Sequence, residues 1–170
     1  MKSIVIYSSL TGNTKQVAEA ITSVLPEGTP CVAMSELPSD IESYDLVFAG
    51  FWVDKGTANK EARDVLGTLH NPHIALFATA GVPPQMEHAK QSLVNAASCL
   101  LEGVVPLDTF ICQGKVDFKV IEMMYKMFPK GHSHGQSADR DARHKQAAVH
   151  PNEDDCKAAR QFAKHVLDVI

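Results

Sequence analysis

Three stretches of this chain, Ile4-Val5-Ile6, Leu46-Val47-Phe48-Ala49 and Ile74-Ala75-Leu76-Phe77-Ala78, are apolar at every position. A strand with one face in water alternates apolar and polar residues, so runs without alternation need cover on both faces. Amphipathic segments of helical period lie between the runs and supply that cover, the pattern of successive βα units around a parallel sheet. The expected strands are Ser3 to Tyr7, Pro30 to Met34, Asp45 to Phe51, His73 to Ala78 and Val104 to Ile111. The fold class that follows is α/β: a doubly wound, three-layer sandwich around a five-stranded parallel sheet.

The first helix is expected to start at Asn13 as its N-cap, with Gln16 at the third helical position and an apolar stripe of Val17, Ala18, Ile21, Val24 and Leu25. Pro26 and Gly28 stop it. A second helix is expected from Asn59 to Leu69, and a third after Pro83-Pro84 carries Met86, Ala89, Leu93, Ala96 and Leu100. The last begins after Pro151-Asn152 and is expected to bury Ala159, Phe162, Ala163 and Val166. The stretch 116–150 departs from this rhythm. Val116 to Phe128 reads as a short amphipathic helix whose Val120, Met123, Met124 and Met127 face the core, and Pro129 to His150 as a long, polar, His-rich loop.

A chain of 170 residues is expected to form one domain, 1–170, with 116–150 as its atypical part. Its formal net charge of −4 argues against a nucleic-acid partner, and no apolar run approaches the roughly 20 residues of a membrane span. The apolar run after Met1-Lys2-Ser3 is shorter than the signal-peptide core of about 7 to 15 residues, so the cytoplasm is the expected location. Charge is unevenly spread: from Lys115 to His150 seven Lys and Arg stand against four acids, which leaves the remainder acidic. Cys31, Cys99, Cys112 and Cys156 form no C-x-x-C pair and are expected to be reduced, mostly buried thiols, with Cys112 close to the ligand. Gly131-His132-Ser133-His134-Gly135 lacks a third ligand, so no metal site is expected.

The chemistry is carried by Ser8-Ser9-Leu10-Thr11-Gly12-Asn13-Thr14, which follows the first strand and opens into the first helix. A phosphate at such a turn takes hydrogen bonds from several backbone N–H groups, and the partial positive charge of the helix N-terminus favours the anion. Ser9, Thr11 and Thr14 add hydroxyls, Asn13 adds an amide, and Gly12 permits a tight turn. The spacing is neither G-x-x-x-x-G-K-[ST] nor G-x-G-x-x-G, which excludes the nucleotide P-loop and the dinucleotide fingerprint.

Ser9-Leu10-Thr11-Gly12-Asn13-Thr14 closely resembles the [ST]-x-T-G-x-T phosphate loop of flavodoxins, and the order of elements agrees along nearly the whole chain. The resemblance implies FMN as cofactor and electron transfer as function, with two further loops holding the isoalloxazine ring. Phe51-Trp52-Val53-Asp54-Lys55-Gly56, after the third strand, is the first, with Trp52 as the aromatic against the ring and Gly56 near N5. Thr79-Ala80-Gly81-Val82 is the second; it lacks the aromatic residue often found there, so one flavin face is expected to be open. No residue is assigned a proton-transfer role.

Cys112-Gln113-Gly114-Lys115-Val116-Asp117-Phe118 and the methionines after it resemble flavodoxin-like, quinone-linked oxidases that act on protoporphyrinogen. The main expectation is an electron carrier working with a redox protein partner. An FMN-dependent oxidoreductase acting directly on a small aromatic, quinone-like or tetrapyrrole-like substrate is the alternative, and a flavin-free interaction domain on the same fold is the second.

Overall fold

In a computed structural model of residues 1–170, the three apolar runs form the centre of a parallel sheet. The elements follow the chain as β1 (Ser3–Tyr7), α1 (Asn13–Thr22), β2 (Cys31–Ala33), β3 (Leu46–Asp54), β4 (Thr57–Ala58), α2 (Lys60–Leu66) and β5 (His73–Ala80). Then come α3 (Glu87–Ala97), β6 (Thr109–Gln113), α4 (Phe118–Met127), α5 (Ala138–Ala147) and α6 (Glu153–Asp168). Strand order is β2-β1-β3-β5-β6, every neighbouring pair parallel, and short β4 adds an antiparallel extension to β3. The expected five-stranded parallel sheet is therefore present, and β4 is an addition to it.

Each central strand deals its side chains to two cores, one per face. Ile4, Ile6, Val47, Ala49, Phe51, Ile74 and Leu76 meet Ala62 and Leu66 of α2 and Ala96 of α3. Val5, Leu46, Phe48, Ala75 and Phe77 meet Val17, Ala18 and Ile21 of α1 and Ala159, Phe162 and Ala163 of α6. Each fully buried large side chain stabilises the fold by about 1.5–3 kcal/mol. Phe162 ties α6 to the sheet edge-on to Phe48, at a ring separation of 5.9 Å, and stacked on Phe110 at 5.7 Å. Asn152 and Asp155 close a reciprocal capping box that fixes where α6 begins.

Several sequence expectations need correction. Gly12, not Asn13, is the N-cap of α1; its φ of +91° suits glycine and leaves Asn13 as the first helical residue with its side chain free for another task. β3 runs on through Asp54 because Lys55 and Gly56, at φ 49° and 77°, turn the chain into a β3–β4 hairpin. The last strand begins at Thr109 rather than Val104. The expected loop from Pro129 to His150 holds α5, capped by Ser137, whose oxygen accepts from the Arg140 amide. The methionines of α4 do not pack into the core: that helix has no buried residue, and Met123 and Met127 are mostly exposed. All four cysteines are free, with Cys112 and Cys156 buried and Cys31 and Cys99 half-buried.

The α4–α5 pair is held to itself by polar contacts. Tyr125 donates to Asp141 Oδ1 at 3.0 Å and lies 3.1 Å from His144 Nδ1. Burial, the Arg140 charge and, more weakly, Arg143 hold the His144 imidazole below its ordinary range, against an opposing pull from Asp141. Neutral His144 thus favours the fold fully above the unfolded value of about 6.5, and that contribution is lost as pH falls through the lowered folded value. The expected result is a fall in the amide-exchange protection factors of α5, taken relative to the intrinsic exchange rate at each pH, on acidification below about pH 6.5, reduced in His144→Gln; equal pH dependence in both proteins would remove His144 as the cause.

Candidate functional site: a cleft at the carboxyl ends of the strands

In a doubly wound sheet, ligands bind outside the carboxyl ends of the strands, at the point where strand order reverses. Here β1 is followed by β2 on one side and by β3 on the other, so the reversal lies between β1 and β3. A cleft of about 250 Å³ opens there. Its first wall is the turn after β1, with Ser9, Leu10, Thr11, Asn13 and Thr14. The second is Trp52, Val53 and Asp54 at the end of β3, and the third is Thr79, Ala80 and Gly81 at the end of β5. A fourth wall follows β6: Gly114 to Asp117, with Val120 from the first turn of α4.

Hydrogen bonds hold these walls together. The Ser8 amide donates to Gly50 O at 2.9 Å, fastening the start of the turn to β3. The Ser8 hydroxyl donates to the Glu61 carboxylate and accepts from Asn59 Nδ2 at 2.8 Å, both groups on or beside α2. Buried Thr14 Oγ1 lies 3.0 Å from Thr79 Oγ1, joining the first wall to the third. Asn13 Nδ2, released from capping, donates to Lys115 O at 2.8 Å and joins the first wall to the fourth. The fourth wall is anchored in turn by Gly114 N to Ala80 O and by Lys115 N to His150 O, at 2.8 and 2.9 Å.

The turn after β1 leaves several backbone donors free. Ser9 Oγ accepts from Gly12 N at 3.1 Å and from Lys15 N at 3.4 Å, and shapes the loop from within. The amides of Leu10, Thr11, Asn13 and Thr14 have no acceptor in the chain. Such orphan donors at a helix start are where a phosphate binds. Thr11 is exposed beside them.

Some residues named from the sequence lie elsewhere. Phe51 is fully buried in the core, Lys55 and Gly56 form the tip of the hairpin, and Gly12 and Val82 do not line the cleft. The Gly56 carbonyl accepts from Asn95 Nδ2 of α3 at 2.7 Å. Cys112 is buried against the α1–α6 face rather than lining the cleft, and burial, then Asp155 and Cys156, push its thiol far up. The fourth wall was absent from the expected site residues. Its signal was present in Gly114-Lys115-Val116-Asp117, but no local pattern shows that Asn13 reaches Lys115 across 102 positions. Val116 lies against Gly81, where a Cβ would come within 2.7 Å of its Cγ2, and so stands beside the loop that lacks an aromatic residue.

Fold and site together define a doubly wound α/β protein with a strand-end cleft whose first wall presents unpartnered amides at a helix start. Residues 4–164 match the flavodoxin domain family, and the chain belongs to that family. It is 36% identical over 98% of its length, and 97% of the relative's, to the flavodoxin-like domain-containing protein BilS of Clostridioides difficile. The protein of the same name from Clostridium symbiosum is 33% identical, covering 95% of this chain and 94% of its own. Among solved structures, oxidised flavodoxin 2 of Bacillus cereus superposes over the full length of both chains with a TM-score of 0.63 at 15% identity. A flavoprotein in complex with FMN from Lactobacillus acidophilus covers 65% of this chain and 93% of its own, with a TM-score of 0.53 at 17% identity.

Proposed function

We propose that the cleft holds one FMN and that the protein is an electron carrier serving a redox protein partner. The observation that carries this reading is the set of four unpartnered amides and the Thr11 hydroxyl at the start of α1, beside the strand-order reversal. Flavodoxin is itself a standard instance of the switch-point rule, with FMN bound there.

The residues present fit the cofactor. The turn from Ser9 to Thr14 offers donors to a phosphate and no carboxylate against it, and Trp52 and Val53 offer an apolar wall for a ring. FMN when bound supplies one- and two-electron redox chemistry, and the protein supplies binding, orientation and electrostatics. Thr14 and Thr79, paired in the interior, hold the phosphate turn and the β5 loop at a constant separation. Ser8, Asn59 and Glu61 brace the turn from behind. A cytoplasmic setting accords with four free thiols.

A second reading, direct reaction with a small aromatic or quinone-like substrate, is favoured by one observation. The β5 loop carries Ala80 where an aromatic would cover the ring, and the adjoining wall of Val116 and Val120 is apolar. Two measurements test these readings. The purified protein is expected to take up one equivalent of FMN and turn yellow; a colourless protein that ignores added FMN leaves only an interaction domain. The FMN protein, reduced anaerobically, is then offered quinones, tetrapyrroles and redox proteins. Exchange with proteins alone supports the carrier, and fast multiple turnover with a small molecule replaces it by the oxidoreductase.

A further inference from the structure

A second cavity, of about 600 Å³, lies between α4 and α5 and shares Lys115 and Val116 with the cleft. Its volume falls within the roughly 300–1,000 Å³ usual for small-molecule sites. Phe118 and Ile121 give it an apolar wall, and Phe118 is 70% exposed although it is among the largest apolar side chains present. α4 is amphipathic yet buries none of its residues, so the space that a core would fill between the two helices stands open. Tyr125 and His144 face it with their rings tilted 46° at 5.9 Å.

The charges around this cavity are unequal in availability. Asp141 is engaged by the Tyr125 hydroxyl and by Gln136 Nε2. Lys115, Lys126 and Lys145 line the cavity and enter no ion pair. Both partners of Asp141 are neutral and leave its charge in place, so three lysines without an ion pair stand against two acids, Glu122 and Asp141, and the lining is cationic by one charge. An apolar, aromatic-flanked space rimmed by unpaired ammonium groups selects a flat apolar body with a negative end.

We propose that the α4–α5 cavity is a binding site for an aromatic carboxylate, its rings against Phe118 and Ile121 and its charge toward Lys126 and Lys145. This site goes beyond FMN binding and does not depend on it. The occupant is a small molecule rather than a docked protein because the exposed apolar side chains of α4 do not form one face: Phe118 lines the cavity, whereas Met123 and Met127 lie outside it.

The test titrates 2-naphthoate and the neutral 2-naphthol into the full chain saturated with FMN, followed by chemical-shift changes and by calorimetry. Naphthoate is expected to bind at least tenfold more tightly than naphthol, with shifts at Phe118, Ile121 and Tyr125. The Lys126→Glu/Lys145→Glu variant is expected to lose that preference at least tenfold while keeping its FMN affinity, which reports that it is folded. Met123→Ala/Met127→Ala is expected to bind naphthoate as the parent does. Equal binding of the two probes, indifference to the charge reversal, no saturation below millimolar concentration, or shifts confined to the FMN cleft would each overturn the proposal. Should the chain take up no FMN, the same titration on the protein as purified still decides this site, with circular dichroism reporting the fold.

Discussion

FMN binding to the Thr11→Ala/Thr14→Ala variant is expected to weaken by about 1–3 kcal/mol, the cost of losing hydroxyl hydrogen bonds to a charged group. That range corresponds to roughly five- to 150-fold in affinity. The two threonines act differently. Thr11 is exposed on the turn and its hydroxyl is free to face a phosphate, whereas Thr14 is buried with its hydroxyl against that of Thr79. Removing Thr14 Oγ1 leaves Thr79 Oγ1 without this partner inside the protein, so the second substitution also loosens the spacing of two cleft walls. Thr14→Ser keeps the oxygen and is expected to retain most of the affinity. Riboflavin, which lacks the phosphate, separates the contributions: Thr11→Ala alone should bind it nearly as the parent does, and any loss in the double variant reports the loosened walls. Equal FMN affinity in parent and double variant would remove the phosphate from this turn.

Gly50→Ala is expected to destabilise the fold by about 1–3 kcal/mol, the range for overpacking a filled core. Gly50 lies opposite Phe77 in the β3–β5 register and is flanked on its other side by Tyr7 of β1. A Cβ built on it would sit 2.1 Å from Phe77 Cζ, inside a ring that is itself fully buried. Phe77 has to leave its place, and because it already sits in the filled α1–α6 core, it can move only against packed side chains. At about 2–4 °C per kcal/mol for a chain of this size, the thermal midpoint is expected to fall by several degrees. The Gly50→Ala/Phe77→Leu double variant makes room and should recover part of the loss relative to the two single changes. Because Gly50 O accepts from the Ser8 amide, FMN affinity should fall along with stability. An unchanged urea midpoint in Gly50→Ala would show that the ring is not held where the packing places it.

The central strands were legible because burial on both faces writes itself into every residue. Ile4 to Ile6, Leu46 to Ala49 and Ile74 to Ala78 admit no polar position, and each falls within its expected strand. The stripes of α1 and α6 were legible for the matching reason, since Val17, Ala18, Ile21, Ala159, Phe162 and Ala163 recur at helical spacing and are all buried. α5 was not. Of its residues only Ala147 is buried, so no apolar period marks it, and its polar pairings with α4 are contacts between residues up to 19 positions apart. The methionines of α4 misled for the converse reason: an apolar period implies a buried face only if some other element comes to cover it.

Residues close along the chain determined the class of the protein: unbroken apolar strands demand helices on both sides, and a hydroxyl-rich turn between a strand and a helix is a place for an anion. Tertiary structure alone decided the shape of the cleft. Gly12 took the cap position and freed Asn13 to reach Lys115, the β3–β4 hairpin carried Lys55 and Gly56 to its tip, and the segment after β6 closed the fourth wall. Those outcomes depend on contacts between residues distant in the chain, which the periodicity of any one segment does not encode.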